Sequence, residues 1–184
     1  MAPDSLFTIG HSTRSFEQFR GLLEREGVTH LVDVRAFPAS RRYPHFNGPE
    51  LASSLLHYGV TYSHVPELGG RRRPNKDSHN SLWRNAGFRA YADYMETPRF
   101  ASAIEDLLAR AAAEATAIMC AEAVPWRCHR SLIADAAAAR GTRVMHIVDA
   151  KTEEHRLTSF ARIEGNIVRY DVATQSDLFQ QASS

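Results

Sequence analysis

The chain has 184 residues, of which 43% are hydrophobic, and this suits one domain with a sizeable core. The net charge of +1 provides no global field that attracts nucleic acid or a membrane, so a polyanion site has to be a local patch. Two cysteines, Cys120 and Cys128, are too few for a fold built on disulfides. We identify neither a signal peptide nor an apolar run of about 20 residues. We therefore expect a cytoplasmic protein with free thiols and no membrane partner.

Strand and helix signals alternate along the chain. Apolar residues 6–9 predict a strand, and Ser15 with Gln18 forms a capping box that opens a helix closed by Gly27. Further strands are predicted over residues 31–34, 60–65, 117–119 and 144–148, and further helices over residues 49–59, 83–96, 98–113 and 131–140.

The order of these elements predicts the fold class. Strands that alternate with helices indicate an α/β protein with three layers, α/β/α, around a mainly parallel, Rossmann-like sheet. A β-hairpin is predicted over residues 156–171, with its turn at residues 164–166. We assign residues 1–172 to a single α/β domain and residues 173–184 to a flexible tail.

Three predicted strands end in polar residues, in the stretches 10–13, 33–35 and 120–122. Because ligands of open parallel sheets bind beyond the carboxyl ends of the strands, we expect these stretches to meet in one active site. Asp33 and Arg35 share one face of their strand, where they form a structural ion pair or meet a ligand. His11 and Ser12 bind a substrate or cap the first helix.

The segment from Cys120 to Arg130 carries most of the predicted chemistry. Cys128 and His129 come directly before a predicted helix, whose N-terminus lowers the pKa of a nearby thiol. The pattern favours an activated thiolate or an anion-binding loop, and the alternative is that the cysteines only pack in the core. Glu122 is a general base or the ion-pair partner of an arginine.

A zinc site built from Cys120, Cys128 and a histidine is not expected. The chain has no Cys-x-x-Cys pair, and the adjacent Cys128 and His129 cannot easily point at one ion. We therefore expect no metal and no cofactor.

Cations and aromatic residues are interleaved in two predicted loops. Such a pattern suits phosphates and stacked bases, and the alternative is a solvated surface loop. The first loop contains Arg41, Arg42, Tyr43, His45 and Phe46, and the second contains Arg71, Arg72, Arg73 and Lys76, with Trp83 just after it.

The tail contains Gln-Ser-Asp-Leu-Phe at residues 175–179. This resembles the short motif by which bacterial replication and repair proteins bind the DNA sliding clamp. Leu178 and Phe179 would enter a pocket while Gln175 makes a directional hydrogen bond. The alternative is that both apolar residues pack on the domain.

The chain also resembles a widespread bacterial and archaeal family that is labelled a domain of unknown function. The resemblance covers roughly residues 6–148 and implies that its motifs form a shared site, with no settled reaction. Those motifs are Thr8-Ile9-Gly10-His11-Ser12, Asp33-Val34-Arg35 with Pro38 and Ser40-Arg41, Tyr62 with Leu68-Gly69-Gly70, and Met119-Cys120-Ala121-Glu122 with Cys128-His129-Arg130.

Two looser similarities frame the chemistry. The Asp-Val-Arg strand end and the later strand, cysteine, loop and helix are similar to rhodanese-like sulfurtransferases. The loop after Cys120 is longer than theirs, and Cys128-His129 has no counterpart there. The Cys-His-Arg triplet at residues 128–130 also looks like that of alkylguanine-DNA alkyltransferases, although Arg127 replaces the expected proline.

These observations favour a DNA-repair or nucleic-acid-processing enzyme that acts on a damaged or modified base or nucleotide and is recruited by the sliding clamp. The reaction is base excision, hydrolysis of a damaged nucleotide or transfer to a thiolate. One alternative is a thiol-dependent sulfurtransferase or small-molecule enzyme that does not act on DNA. Another is a non-catalytic adaptor that binds nucleic acid.

We assign the candidate residues to four roles. The catalytic candidates are Glu122, Cys120, Cys128, His129 and Asp33. The substrate-binding candidates are His11, Ser12, Arg35, Ser40, Arg41, Tyr43, Tyr62, Trp126, Arg127 and Arg130. The candidates for nucleic-acid binding are Arg42, Arg71, Arg72, Arg73 and Lys76, and those for clamp binding are Gln175, Leu178 and Phe179.

Overall fold

The computed structural model describes residues 5–172. The predicted tail, with Gln175, Leu178 and Phe179, lies outside the described residues. Between residues 5 and 172 no helix is long and apolar enough to span a bilayer.

A six-stranded sheet forms the middle layer of the fold. Its strands are β1 (Ser5–Gly10), β2 (His30–Asp33), β3 (Thr61–His64), β4 (Thr116–Cys120), β5 (Arg143–Val148) and β6 (Lys151–Glu154). Their order in the sheet is β3-β2-β4-β1-β5-β6. The first five strands pair in parallel and β6 pairs antiparallel with β5, so the mainly parallel sheet is confirmed.

Helices cover both faces of the sheet, because the buried strands are apolar on both sides. Ile9 and Met119 point into a core with Phe19 and Leu51, whereas Ile118 points into the opposite core. The helices are α1 (Phe16–Arg25), α2 (Gly48–Leu56), α3 (Ala86–Met95), α4 (Pro98–Ala113) and α5 (Arg130–Ala138). This arrangement confirms the three-layer α/β/α fold.

Local sequence signals predicted most of the helix ends and turns correctly. Ser15 and Gln18 form the predicted capping box of α1. Asn85 caps α3, so this helix begins later than predicted. The predicted hairpin consists of β7 (Arg162–Glu164) and β8 (Ile167–Arg169), which turn at Gly165 with φ of 59°.

Strand β6 was not predicted. Its sequence, Lys-Thr-Glu-Glu, has no alternation of apolar and polar residues. It occupies the edge of the sheet, where charged side chains remain in water, so its pairing with β5 decides its conformation.

Candidate active site

The three polar strand ends lie side by side, because β2, β4 and β1 are neighbours in the sheet. The backbone N–H of His11 donates to the carbonyl of Cys120 at 2.9 Å, and that of Val34 donates to the carbonyl of Met119 at 2.9 Å. A cavity of about 350 Å³ opens here. The predicted site residues that line it are His11, Arg35, Ser40, Arg71, Cys120, Glu122, Cys128 and His129.

The two cysteines form a buried pair at the base of this cavity. The Sγ atoms of Cys120 and Cys128 are 2.6 Å apart, and both thiols are free of disulfides. Cys120 ends β4, and Cys128 lies in the short loop between a turn of 3₁₀ helix and α5. The loop between the two residues, 121–127, therefore folds back and brings Sγ of Cys128 next to Sγ of Cys120.

Arg130, the first residue of α5, lies fully buried against the pair. Its Nε donates to Sγ of Cys120 at 2.9 Å, Nη1 donates to Oγ1 of Thr8 at 3.2 Å, and Nη2 donates to the carbonyl of Glu122 at 2.6 Å. It forms no ion pair with a carboxylate between residues 5 and 172. An arginine retains its proton in proteins, and a buried cation is costly without an anion.

This environment affects the pKa values of the two cysteines in opposite directions. Burial opposes the charged form of Cys128, but hydrogen bonds from Cys120 and His129 and the charges of His129 and Arg130 hold its pKa well below the usual range. Burial and the hydrogen bond to Cys128 raise the pKa of Cys120. The pair is therefore a thiolate, Cys128, that accepts a hydrogen bond from a thiol, Cys120.

His129 is fixed beside the thiolate. Its Nε2 donates to the carbonyl of Val34 at 2.9 Å, and its Nδ1 donates to Sγ of Cys128 at 3.5 Å. Gly70 packs on the ring, and a Cβ there would lie 3.0 Å from Nδ1. The ring of Tyr91 covers the imidazole, with centroids 5.1 Å apart.

His11 forms another wall of the cavity. Its Nδ1–H donates to the carbonyl of Ser12 at 2.9 Å, so Nε2 accepts from Nη1 of Arg35 at 3.4 Å. Burial, and then the charge of Arg35, lower the pKa of His11 to about 4. His11 stacks on Phe46 with centroids 4.3 Å apart. Ser12, with φ of 50°, does not line the cavity.

Asp33 lies behind the cavity and does not line it. This fully buried carboxylate accepts from Nε of Arg35 at 2.9 and 3.0 Å and from the hydroxyl of Tyr62 at 2.7 Å. Burial and the charge of Asp33 raise the pKa of Tyr62. The ion pair directs the guanidinium of Arg35 at His11, and both oxygens of Asp33 are occupied by hydrogen bonds from Arg35 and Tyr62.

Glu122 and Phe37 lie at the mouth of the cavity. The side chain of Glu122 is exposed, and Phe37 is 67% exposed with the guanidinium of Arg71 5.7 Å from its ring centroid. Ser40 lines the cavity and accepts from the backbone of Tyr43 at 3.0 Å. Phe37 was missed because an aromatic residue in an irregular loop has no periodic pattern that shows its direction.

Some predicted binding residues lie elsewhere. Arg72 donates to the carbonyls of residues 66, 67 and 69, and its guanidinium lies 3.6 Å from the ring centroid of Tyr94, so it holds its own loop together. Trp126 lines a separate cavity of about 1130 Å³. Arg41, Arg42, Arg73, Lys76 and Arg127 are exposed.

The described residues contain no group of three or more histidine, cysteine, aspartate or glutamate side chains arranged to hold a metal ion. Cys120 and Cys128 already satisfy each other and Arg130. The chemistry that the arrangement supports directly is that of a thiolate beside a cation.

A comparison with family models adds one finding. The model described as "Domain of unknown function DUF488" matches residues 15–137, which is more than half of the chain. The comparisons with curated proteins and with solved structures gave no match.

Proposed function

We propose, from the premise that this chain belongs to the DUF488 family and that the family's description assigns no reaction, that it is a thiolate-dependent DNA-repair enzyme. Its Cys128 thiolate would accept an alkyl group from a modified base or nucleotide. The observation that carries the proposal is the fully buried Arg130, whose Nε contacts Cys120 and which has no carboxylate partner between residues 5 and 172.

The charge of the buried Arg130 guanidinium has to be compensated. A buried guanidinium is tolerated when an anion compensates its charge. The group beside it that can ionise is the cysteine pair, at 2.9 Å. A thiolate, not a thiol, is the nucleophile in cysteine chemistry, so the need to balance Arg130 keeps the pair reactive.

The proposed step uses both cysteines. Cys128 attacks the electrophilic carbon of the alkyl group, so that a carbon–sulfur bond forms and the bond from that carbon to the base breaks. The base leaves with the electron pair and takes the proton of Cys120. Cys120 is then the thiolate beside Arg130, and the alkyl group remains on Cys128 as a thioether.

Features of the cavity support a base-sized substrate. A volume of about 350 Å³ lies at the lower end of the range of roughly 300–1,000 Å³ for small-molecule sites. Phe37 offers an exposed ring on which a flipped base can stack. Glu122 would orient the exocyclic groups of the base from the mouth of the cavity.

Exposed cations in the two loops that reach the cavity, through Ser40 and Arg71, support a nucleic acid. Arg71 lines it, and Arg41, Arg42, Arg73 and Lys76 belong to the same two loops. None of them forms an ion pair within residues 5–172, so their charges are available to phosphates. Recruitment by the sliding clamp through Gln175, Leu178 and Phe179 is part of the proposal, and alanine at residues 178 and 179 should abolish clamp binding.

A thiol-dependent sulfurtransferase is the second candidate, favoured by the Cys128 thiolate, which lies beside the end of β4. It would carry a persulfide on a cysteine and act without DNA. A non-catalytic adaptor, in contrast, would tolerate the loss of both cysteines.

The test uses the full chain with oligonucleotides that each contain one alkylated base. Intact mass should rise by the mass of the alkyl group, at Cys128, and Cys128→Ser should prevent the transfer. Unmodified oligonucleotides and Arg143→Ala, at an exposed arginine remote from the cavity, are the controls. If no oligonucleotide in the panel alkylates Cys128 but thiosulfate forms a persulfide on a cysteine, the sulfurtransferase replaces this proposal.

A further inference from the structure

A row of hydrogen-bonded side chains runs beneath the active site, from Arg130 to a buried carboxylate. Nη1 of Arg130 contacts Oγ1 of Thr8 at 3.2 Å, and that oxygen lies 2.7 Å from Nδ1 of His146. Nε2 of His146 lies 2.9 Å from Nδ1 of His155, whose Nε2 lies 2.9 Å from Oδ1 of Asp135. The row crosses from α5 to β1, to β5 and to the chain after β6, and returns to α5.

The hydrogen bonds at the two ends of this row have a fixed direction. The carboxylate of Asp135 can only accept, so Nε2 of His155 donates to it. At the other end the guanidinium of Arg130 can only donate, so Oγ1 of Thr8 accepts from its Nη1. The two imidazoles link Thr8 to Asp135 and hold the hydroxyl of Thr8 in place.

We propose that Asp135, His155, His146 and Thr8 are positioning residues that hold the guanidinium of Arg130 against Cys120. The inference rests on the proposed function, because it concerns the same thiolate. Thr8, Arg130 and Asp135 are fully buried, and His146 is 8% exposed, so water does not compete for the hydrogen bond between Thr8 and Arg130. Burial, and then the charges of His155 and Arg130, lower the pKa of His146 to about 3, which keeps it neutral at physiological pH.

The hydrogen-bond geometry explains why Arg130 needs residues that hold it in position. Three of its nitrogens face three different acceptors, and only Nε faces the sulfur. Nη2 is fixed by the carbonyl of Glu122, and Nη1 is fixed by Thr8. Without the hydroxyl of Thr8, a buried N–H has no partner, and the guanidinium must rotate to find one.

The far end of the row is also fixed. Asp135 accepts the hydroxyl protons of Thr158 and Tyr170, each at 2.7 Å, and the backbone N–H of Thr158 at 3.0 Å. Its removal would leave several buried donors unpaired and could prevent folding. The experiment therefore interrupts the row at Thr8.

Thr8→Val removes the hydroxyl and keeps the shape of the side chain. Thr8→Ser retains the hydroxyl, and Thr116→Val is the matched control. Thr116 is also a fully buried strand threonine, and its hydroxyl bonds to the carbonyl of Glu114 at the opposite end of β4. The readout is the rate of alkylation of the full chain by iodoacetamide as a function of pH, together with thermal unfolding. None of the other titratable or charged groups around the pair is changed. Besides the cysteines, these groups are Glu122, His11, Arg35, Arg71, Tyr91, His129 and Arg130.

We expect Thr8→Val to slow alkylation at neutral pH about tenfold and to move its midpoint to higher pH. Thr8→Ser and Thr116→Val should react as the unaltered chain does. A folded Thr8→Val variant with the original pH profile would overturn the inference and leave the thiolate proposal standing. An ordinary thiol profile in the unaltered chain would instead overturn the proposed function itself.

Discussion

The Nε atom of Arg130 lies 2.9 Å from the Sγ atom of Cys120, and in residues 5–172 no carboxylate forms an ion pair with this fully buried guanidinium. The cysteine pair is thus its counter-ion, and the fold itself maintains the thiolate. The surrounding architecture serves this contact: a tight strand end at Gly10, a carbonyl at Glu122 and the hydroxyl of Thr8 hold the guanidinium from three sides.

The first prediction concerns the charge of Arg130. Arg130→Met replaces the buried cation with an apolar side chain of similar length, and thermal unfolding has to show that the variant is folded, because the loss of one partner of a buried ion pair is destabilising. The pKa of the Cys128 thiol should rise, because an adjacent opposite charge is worth about 1–3 pKa units. Iodoacetamide labelling at neutral pH should fall at least about tenfold, whereas Arg41→Met, at an exposed arginine, should leave it unchanged. An unaltered pH profile in Arg130→Met would mean that the guanidinium is not the counter-ion.

The second prediction concerns the backbone at Gly10. A Cβ there would lie 1.7 Å from the carbonyl oxygen of Glu122 and 2.9 Å from Nη2 of Arg130. Gly10→Ala should therefore displace that carbonyl, lower the free energy of unfolding by about 1–3 kcal/mol and slow thiol labelling. Gly21→Ala is the control, because the Cβ meets nothing within 4 Å on α1, and it should stabilise by about 0.5–1 kcal/mol. Equal stability of the two variants, measured by urea unfolding, would contradict the expectation.

The elements that carry strong local signals could be predicted from the sequence. The apolar strands, the capping box at Ser15 and the turn at Gly165 could be predicted because each depends on neighbouring residues. The meeting of Cys120 with His11 also followed, since a parallel sheet places strand ends at one edge. The row from Arg130 to Asp135 could not be predicted, because its members come from distant parts of the chain and no spacing links them.

The third prediction concerns the pH dependence of stability. The pKa of His11 is lowered to about 4 and that of His146 to about 3, below the unperturbed value of about 6.5. Between pH 6.5 and 3 these two histidines are protonated in the unfolded chain before they are protonated in the folded chain. The free energy of unfolding therefore falls as the pH decreases. The full contribution is present above pH 6.5, and the loss should reach a few kcal/mol.

Urea unfolding at pH 7, 6, 5 and 4 measures this loss. His146→Gln cannot titrate and should flatten the curve, although it also interrupts the row beneath the site and lowers stability at every pH. His57→Gln, at an exposed position after α2, should keep the original slope. A slope that His146→Gln leaves unchanged would show that other groups cause the loss.

The fourth prediction concerns oxidation. The Sγ atoms of Cys120 and Cys128 are 2.6 Å apart, so a disulfide requires them to approach by roughly 0.5 Å. Oxidised glutathione should first form a mixed disulfide at the thiolate, and the other cysteine should then displace glutathione. Mass spectrometry should show a chain that has lost two hydrogens and resists alkylation until it is reduced. Cys120→Ser should retain the glutathione adduct, and a stable adduct on the unaltered chain would contradict the expected exchange.

The last prediction separates two neighbouring arginines in one loop. Arg71 lines the cavity beside Phe37, whereas Arg72 bonds to backbone carbonyls and lies on the ring of Tyr94. Arg71→Ala should weaken binding to a single-stranded oligonucleotide and reduce the slope of log affinity against log salt by about 0.7 for each lost phosphate contact. Arg72→Ala should mainly lower the free energy of unfolding, because it leaves several carbonyls without their donor. Arg143→Ala removes a cation that is exposed and paired with Glu154, so it should change neither quantity appreciably. If Arg71→Ala kept the full affinity and salt slope, the loop would not be the phosphate-binding surface, and the thiolate cavity would then be expected to act on a small molecule.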